Sequence, residues 1–227
     1  MDHERFNFMI YDFHTHTFFS DGVNSPIELI RFAAARGYKC IALTDHASYS
    51  NLDFIISRVS RDCELAEKYW SINAITGVEL TNVPAKSINE MAGKAKELGA
   101  KLVVVHGESI VEDVEEGTNL EAVRSEYVDL LAHPGIFTLE EAKLAVKNGV
   151  FIEISSRAGH SLTNGVVVNA GREAGVKFLI NSDAHSHHDL FKSDMQEKVG
   201  RGSGLKKDEI EEILGKNHKQ ILKRINY

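Results

Sequence analysis

The sequence predicts an α/β fold in which short parallel strands alternate with helices and close into a barrel. Short, nearly continuous apolar runs alternate with amphipathic helical segments along the chain, a pattern typical of parallel strands covered by helices. Each apolar run is followed by a metal-ligand type or a cationic side chain at its carboxyl end. In a parallel barrel those ends surround a single cavity.

Seven apolar runs are predicted strands: Phe8–Phe13, Cys40–Leu43, Ala74–Glu79, Leu102–His106, Val128–Ala132, Phe151–Ile154 and Phe178–Asn181. A chain of 227 residues is short for a full eight-unit barrel, which typically has about 250. An open doubly wound sheet uses similar units, but the nucleotide-binding patterns GxGxxG and GxxxxGK[ST] are absent. Its outer strands would also lie too far apart for all seven carboxyl ends to meet, so a closed or nearly closed barrel is favoured.

The predicted helices carry start and stop signals. Capping boxes are predicted at Ser25, Ser87 and Thr138, each with glutamate three residues later, and Pro26 occupies the first helical position of the first box. Glycine follows a helical segment and precedes an apolar run four times, which predicts left-handed helix ends. These glycines are Gly37, Gly99, Gly149 and Gly175.

Composition limits the class of protein. The net charge of −7 argues against a broad basic surface for nucleic acid. No apolar stretch approaches the roughly 20 residues of a membrane span, and the first residues, MDHERFNF, contain no apolar signal core. Cys40 and Cys63 form no CxxC pair, so they are predicted to be buried free thiols. We therefore expect a cytoplasmic protein without membrane partners, and the sequence does not indicate its oligomeric state.

The stretch YDFHTHTFFSDG places His14 and His16 where the first predicted strand ends. Residues i and i+2 of a strand point to the same face, so the two imidazoles could aim at one point. Asp21 could return to that point from the following loop. Taken alone, a His-x-His pair is a weak signal for a metal site.

The remaining strand ends strengthen that signal. They carry Asp45 and His46, Glu79, His106, His133, Glu153 with Arg157 and His160, and Asp183 with His185. His3, His188 and His218 lie outside this pattern and are not assigned to the site. A carboxylate that closes an apolar strand, as Glu79 does, is costly unless a positive charge compensates it. A site with nitrogen and oxygen ligands and no thiolate suits zinc first, or manganese or iron.

Six motifs, HTHTFFSDG, ALTDH, GVEL, VVHGE, LAHPG and NSDAHS, resemble in order those of the polymerase and histidinol phosphatase (PHP) family. The resemblance runs from about Tyr11 to His188 and implies a distorted (β/α)7 barrel, similar to a TIM barrel, with a metal site at the carboxyl rim of its strands. We expect residues 1–227 to form one such domain, with a C-terminal helical segment, residues 205–227, packed on it.

The resemblance also implies the ligand set. One ion would bind His14, His16, Glu79 and Asp183; a second would bind Asp21, His46 and His185; a third would bind His106 and His133, with Glu79 bridging. Six histidines and three carboxylates exceed the needs of one zinc ion, so two or three ions are expected. A non-catalytic binding subunit on the same barrel would be expected to lose several of these ligands.

The implied activity is phosphoester hydrolysis, in which a hydroxide bridging two metals attacks phosphorus. Arg157 is the candidate phosphate clamp; His160 and Ser20 are candidate substrate contacts, and His160 could protonate the leaving group. A small phosphate monoester such as histidinol phosphate is the first choice of substrate. A metal-dependent nuclease or nucleotide phosphodiesterase, acting on nucleotides or single-stranded nucleic-acid ends, is the alternative.

Overall fold

The structure, a computed structural model, describes residues 9–227. Its strands are β1 Ile10–Asp12, β2 Tyr38–Leu43, β3 His46–Ala47, β4 Asn73–Leu80, β5 Leu102–His106, β6 Leu130–Ala132, β7 Phe151–Ser155 and β8 Phe178–Asn181. Its α-helices are α1 Pro26–Ala35, α2 Leu52–Tyr69, α3 Ile88–Glu97, α4 Thr118–Arg124, α5 Leu139–Asn148, α6 Asn164–Ala174, α7 Met195–Gly202, α8 Lys207–Glu212 and α9 His218–Arg224.

All strand pairs are parallel and follow the order β1-β2-β4-β5-β6-β7-β8. The seven predicted strands are therefore confirmed, although Phe8, where the first was expected to begin, lies outside the described residues. The two-residue strand β3 was not predicted. It pairs with β4, so that His46 lies opposite Glu79 in the ladder.

The barrel is nearly closed between β1 and β8. Thr15 and Ala184 form an isolated parallel bridge just beyond the two strands. Closer to the strands, side chains complete the seam: the Gln196 amide donates to the carbonyl oxygens of Tyr11 and Ile180, each at 2.8 Å. A buried carbonyl group without a partner is costly, so these bonds hold together a seam that has little strand pairing of its own.

Strand alternation divides the core in two. Side chains facing outward pack against the surrounding helices, and those facing inward fill the barrel. On β5, Leu102 and Val104 belong to the inner cluster and Val103 and Val105 to the outer one. The next inward position is His106, because strand side chains repeat every two residues. The same alternation that builds the inner core thus brings polar side chains into the carboxyl end of the barrel.

The C-terminal segment closes the opposite end. Ile221 and Ile225 belong to the inner cluster, and the Arg224 guanidinium donates to the Asp129 carboxylate at 3.1 Å and to the Val128 carbonyl at 2.9 Å. Within residues 9–227, no helix is long and apolar enough to cross a membrane.

Two of the three predicted capping boxes are present. The side chains of Ser25 and Thr138 each accept a hydrogen bond from the backbone N–H three residues later, and the carboxylate of the glutamate there accepts one from the backbone N–H of the capping residue. The prediction at Ser87 is wrong: its backbone is helical, and its hydroxyl donates to the Pro84 carbonyl at 2.7 Å. A short 3₁₀ turn, Ala85–Ser87, runs directly into α3 and leaves no extended residue to act as a cap.

The four predicted helix-ending glycines are confirmed in the left-handed region. Their φ angles are +78° for Gly37, +104° for Gly99, +71° for Gly149 and +83° for Gly175. Both cysteines are buried free thiols, as predicted.

Candidate metal centre

His14 and His16 converge where β1 ends. Both are fully buried, and their Nε2 atoms lie 3.0 Å apart. The backbone entering the pair is held from the far side of the seam, since the Phe13 N–H donates to Asn181 Oδ1 at 3.0 Å. Alternate residues at one strand end therefore aim two imidazoles at one point, as the His-x-His spacing predicts.

Glu79 lies at the centre of the histidines. It is fully buried at the end of β4. One carboxylate oxygen lies 3.3 Å from His14 Nε2, 3.3 Å from His106 Nδ1 and 3.5 Å from His133 Nε2. The other lies 2.6 Å from His46 Nδ1. A single carboxylate thus reaches side chains from four other strand ends, which is the position of a bridging ligand.

Asp183 follows β8 and approaches the centre from the other side. Its carboxylate lies 3.3 Å from His16 Nε2 and 2.9 Å from His160 Nδ1. Asp183 and His133 both have positive φ, +53° and +26°. Such backbone conformations cost free energy in non-glycine residues and persist where the surrounding structure enforces them. Here the surrounding contacts turn both side chains into the cavity.

Asp21 forms a third cluster at the solvent edge. Its carboxylate lies 3.1 Å from His185 Nε2, 3.5 Å from His46 Nε2 and 3.9 Å from His16 Nδ1. The loop that carries it packs tightly on the strand end: a Cβ on Gly22 would lie 2.5 Å from the His16 carbonyl oxygen. Glycine at this position therefore lets the loop fold back and return Asp21 to the histidines.

All nine predicted ligands belong to groups whose ligand-type atoms lie within 4.8 Å of one another. The groups are His16, Asp21, His46 and His185; His14, Glu79 and His133; His14, His16 and Asp183; His46, Glu79 and His106; and His133, His160 and Asp183. The groups overlap at several residues, so adjacent ions would share ligands.

Several buried polar atoms of these side chains lack hydrogen-bond partners, which fits a site that binds metal ions. Glu79 Oε1 and the Nδ1 atoms of His16, His106 and His133 are buried without a hydrogen-bond partner among the described residues. Buried polar atoms are normally paired, and these atoms belong to side chains that form the clusters. Divalent cations would satisfy Glu79 Oε1 and the Nδ1 atoms of His16 and His106, which face other ligand atoms of the clusters, and would neutralise the buried carboxylates.

Electrostatics within the cluster are strongly coupled. Burial alone would raise the pKa of Glu79 and of Asp183, but neighbouring histidines outweigh it and hold both pKa values well below the usual range. Burial lowers the pKa of His16 to about 3. The neighbouring carboxylates outweigh burial and raise the pKa of His46 and, to about 10, that of His106. Because histidine binds metals in its neutral form, metal binding would release protons from these imidazoles.

Glu153 contacts two of the candidate ligands, His14 and His133. It lies on β7, fully buried. Its Oε1 lies 2.9 Å from His14 Nδ1, while its Oε2 accepts from the backbone N–H of His133 at 3.1 Å. Asn181 Nδ2 donates to Oε1 at 3.0 Å. Sequence reasoning placed Glu153 at this strand end without a role; its contacts make it an orienting partner for the ligand His14.

Glu112 was missed by sequence reasoning. Its carboxylate lies 2.6 Å from His106 Nε2 and 3.3 Å from His160 Nε2, although the side chain is 46% exposed. It comes from an acidic loop, residues 107–117, in which nothing about spacing distinguishes it from its neighbours. Glu108 instead accepts hydrogen bonds from Gly117 and Asn119 at the start of α4. Only the folded loop shows which acid faces the histidines.

The three predicted substrate-contacting residues occupy different surroundings. His160 is buried between Asp183 and Glu112. Arg157 is partly exposed, with Nη1 donating to the Asp183 carbonyl at 3.3 Å and Nε 3.8 Å from the Asp183 carboxylate. The Ser20 hydroxyl donates to Asp45 at 2.9 Å, so it has a partner within the protein. Arg157 and His160 lie against the centre, and the proposed role of all three stays a prediction.

The fold and the site define a parallel barrel with overlapping clusters of candidate metal ligands at its carboxyl rim. Residues 12–223 match the PHP domain, so the chain belongs to the PHP domain family. It is 51% identical over 218 residues to an uncharacterized protein of Methanocaldococcus jannaschii, covering 96% of this chain and 100% of that one.

A further relative and a solved structure extend the comparison. A Thermoanaerobacter sp. protein named "Probable phosphatase" is 28% identical over 217 residues, 88% of this chain and 89% of its own. A Listeria monocytogenes structure described as a "putative histidinol phosphatase" superimposes with a TM-score of 0.62 at 12% identity, covering 82% of this chain and 99% of that one. At this identity, the similarity to the Listeria monocytogenes structure shows a shared fold. Family and relatives together support a metal-dependent phosphoesterase.

Proposed function

We propose that this protein is a metal-dependent phosphatase that hydrolyses a small phosphate monoester. The observation that carries the proposal is the convergence of nine histidine, aspartate and glutamate side chains at one end of the barrel, with Glu79 Oε1 and the Nδ1 atoms of His16 and His106 buried and unpaired. Membership of the PHP domain family supports the same reaction class.

The proposed division of the ligands follows the sequence motifs. One ion would be held by His14, His16, Glu79 and Asp183, a second by Asp21, His46 and His185, and a third by His106 and His133 with Glu79 between them. Two or three divalent ions are proposed, with zinc first and manganese or iron as alternatives. When bound, they would lower the pKa of water towards 7 and neutralise the phosphoryl oxygens.

The chain's own residues would orient the substrate. Arg157 lies beside Asp183, where its guanidinium can pair with two phosphoryl oxygens at once. His160 lies between Asp183 and Glu112, which hold its ring from both sides. Donation of a proton from Nε2 to a departing alkoxide would require this nitrogen to leave the partly exposed Glu112 carboxylate, 3.3 Å away. Ser20 remains a candidate contact at the outer edge.

The test combines metal analysis with a substrate panel. Elemental analysis of the purified and reconstituted chain should find two or three transition-metal ions per molecule. Fewer than one would contradict the proposal. The panel should include histidinol phosphate, other small monoesters, 3′,5′-nucleotides and short single-stranded DNA, since preference for the diesters would instead favour a nuclease or nucleotide phosphodiesterase.

Arg157→Ala tests the clamp. Loss of a bidentate contact to a charged group costs about 1.5–3 kcal/mol, or roughly 10- to 100-fold in kcat/KM. Metal content should be unchanged. Arg58→Ala, which removes an arginine from the outer helix α2, is the matched control and should leave kcat/KM near the wild-type value. Equal kinetics for Arg157→Ala and wild type would show that Arg157 does not hold the phosphate.

A further inference from the structure

A second cavity opens beside the metal centre on the far side of Arg157. Its volume is about 550 Å³, and both Arg157 and Asp183 line it. Pockets for small ligands are typically about 300–1,000 Å³. Because Arg157 lines this cavity and also contacts the candidate ligand Asp183, the cavity adjoins the proposed phosphate site.

The outer wall carries cationic and donor groups. Lys192 and His188 line it, both exposed to solvent, together with the apolar side chains of Leu190 and Met195. Within residues 9–227, no side chain forms an ion pair or hydrogen bond with the Lys192 ammonium group. A lysine that lines a pocket without a partner is available to a ligand.

The acidic residues of the cavity are already engaged. Asp183 directs its carboxylate at the histidines of the metal centre. The Asp189 carboxylate accepts hydrogen bonds from the backbone N–H groups of His185 and Ser186 at 3.2 and 2.9 Å. Lys192 is therefore the charged lining group without a partner among the described residues, and Arg157, which contacts Asp183, lies in the same wall.

We propose that this cavity binds a second anionic group, carried by the leaving group of the substrate. The inference rests on the proposed phosphatase function and narrows its substrate to a phosphate monoester bearing another phosphate or a carboxylate. A cationic leaving group, such as that of histidinol phosphate, would instead meet Arg157 and Lys192 and be disfavoured by like-charge repulsion.

Binding of phosphonates, which the enzyme does not hydrolyse, tests the cavity without relying on turnover. Titration calorimetry on the metal-loaded full chain would compare alkylphosphonates with ω-carboxyalkylphosphonates and ω-aminoalkylphosphonates of two to five methylene groups. At the best length, the carboxylate should bind about 5- to 10-fold more tightly than the neutral chain, as expected for one charge pair at a partly exposed site. The amine should bind more weakly than the neutral chain.

Lys192→Met should abolish the preference for the carboxylate while leaving binding of the neutral phosphonate unchanged. Lys198→Met is the matched control: it removes the same charge from α7, at a residue that does not line the cavity, and should retain the preference. Alkane bisphosphonates of equal length would identify the second anionic group. If they bind more tightly than the carboxyalkylphosphonates, and Lys192→Met abolishes that difference, the second group is a phosphate.

Three results would overturn the inference: equal binding of charged and neutral chains, a preference that survives in Lys192→Met, or no binding of any phosphonate. Failure of the proposed function looks different. A metal-loaded chain that prefers the carboxyalkylphosphonate but hydrolyses no monoester would retain the anion site and lose the phosphatase. A chain that hydrolyses monoesters but binds charged and neutral phosphonates equally would support the phosphatase and contradict the anion site.

Discussion

His218 lies in the inner core at the closed end of the barrel, and its replacement by leucine removes a buried imidazole. Its ring is 99% buried, 4.7 Å from the Tyr11 ring and 5.9 Å from the Phe13 ring between centroids. No side chain among the described residues pairs with either ring nitrogen, and burial outweighs the nearby Leu214 carbonyl, which favours the protonated ring. Burial accordingly lowers the pKa of His218 to about 3.

The consequence for stability depends on pH. An unfolded histidine takes up a proton near pH 6.5, whereas native His218 stays neutral down to about pH 3. Between these values the unfolded state binds more protons, so His218 makes the wild type lose stability as pH falls. From pH 6.5 to pH 5 this amounts to about 1.5 units at 1.36 kcal/mol each, or about 2 kcal/mol.

Leucine has a similar volume and no proton to bind. We therefore expect the free energy of unfolding of His218→Leu, relative to wild type, to rise by about 2 kcal/mol between pH 7.5 and pH 5. Urea unfolding followed by the fluorescence of Trp70, the single tryptophan, would measure it at equal metal loading. The metal centre lies at the other end of the barrel, so its own pH dependence should cancel in the comparison.

Ile221→Val is the matched control, because it changes a fully buried neighbour on the same helix without a titrating group. It should cost about 1 kcal/mol at both pH values. If the difference between His218→Leu and wild type were the same at pH 5 and pH 7.5, the native ring would be protonated or hydrogen-bonded, and the reasoning would be wrong.

Two further substitutions test the site's support and the helix packing. Glu153→Gln removes the charge that orients His14 and should weaken zinc binding about 10- to 100-fold. Competition with a chromophoric chelator would measure the zinc affinity. An unchanged affinity would contradict the orienting role of Glu153. Gly171→Ala places a Cβ 2.3 Å from Cζ of Phe178 and should cost about 1–3 kcal/mol of unfolding free energy. Gly165→Ala, on the same helix with nothing within 4 Å of its Cβ, should be neutral or stabilising by up to about 1 kcal/mol; equal effects in thermal unfolding would refute the packing argument.

Much of the fold and of the candidate site could be predicted because it depends on chain direction and on the period of two. Apolar runs that end in histidine or a carboxylate specify parallel strands whose carboxyl ends bear the ligands. Glu79 and His106 occupy inward positions that continue the alternation of β4 and β5. These signals are local, so the sequence carries them without the tertiary structure.

Other features could not be predicted, since they depend on which segments meet. Gln196 closes the seam only because α7 lies across β1 and β8, and Glu112 reaches the histidines only because its loop folds over them. Ser87 loses its predicted cap to a 3₁₀ turn formed by the preceding residues.

The sequence by itself determined the alternation of strands and helices, the helix ends at glycine, and the strand ends at which ligand side chains stand. The tertiary structure alone decided which atoms face one another, that His218 lies buried in the core, and that Lys192 shares a cavity with Arg157. The periodicity of apolar and polar residues is a local property, so the sequence alone is enough to predict it. Contacts between residues that are far apart in the sequence depend on how the barrel closes, and closure depends on the packing of the whole chain.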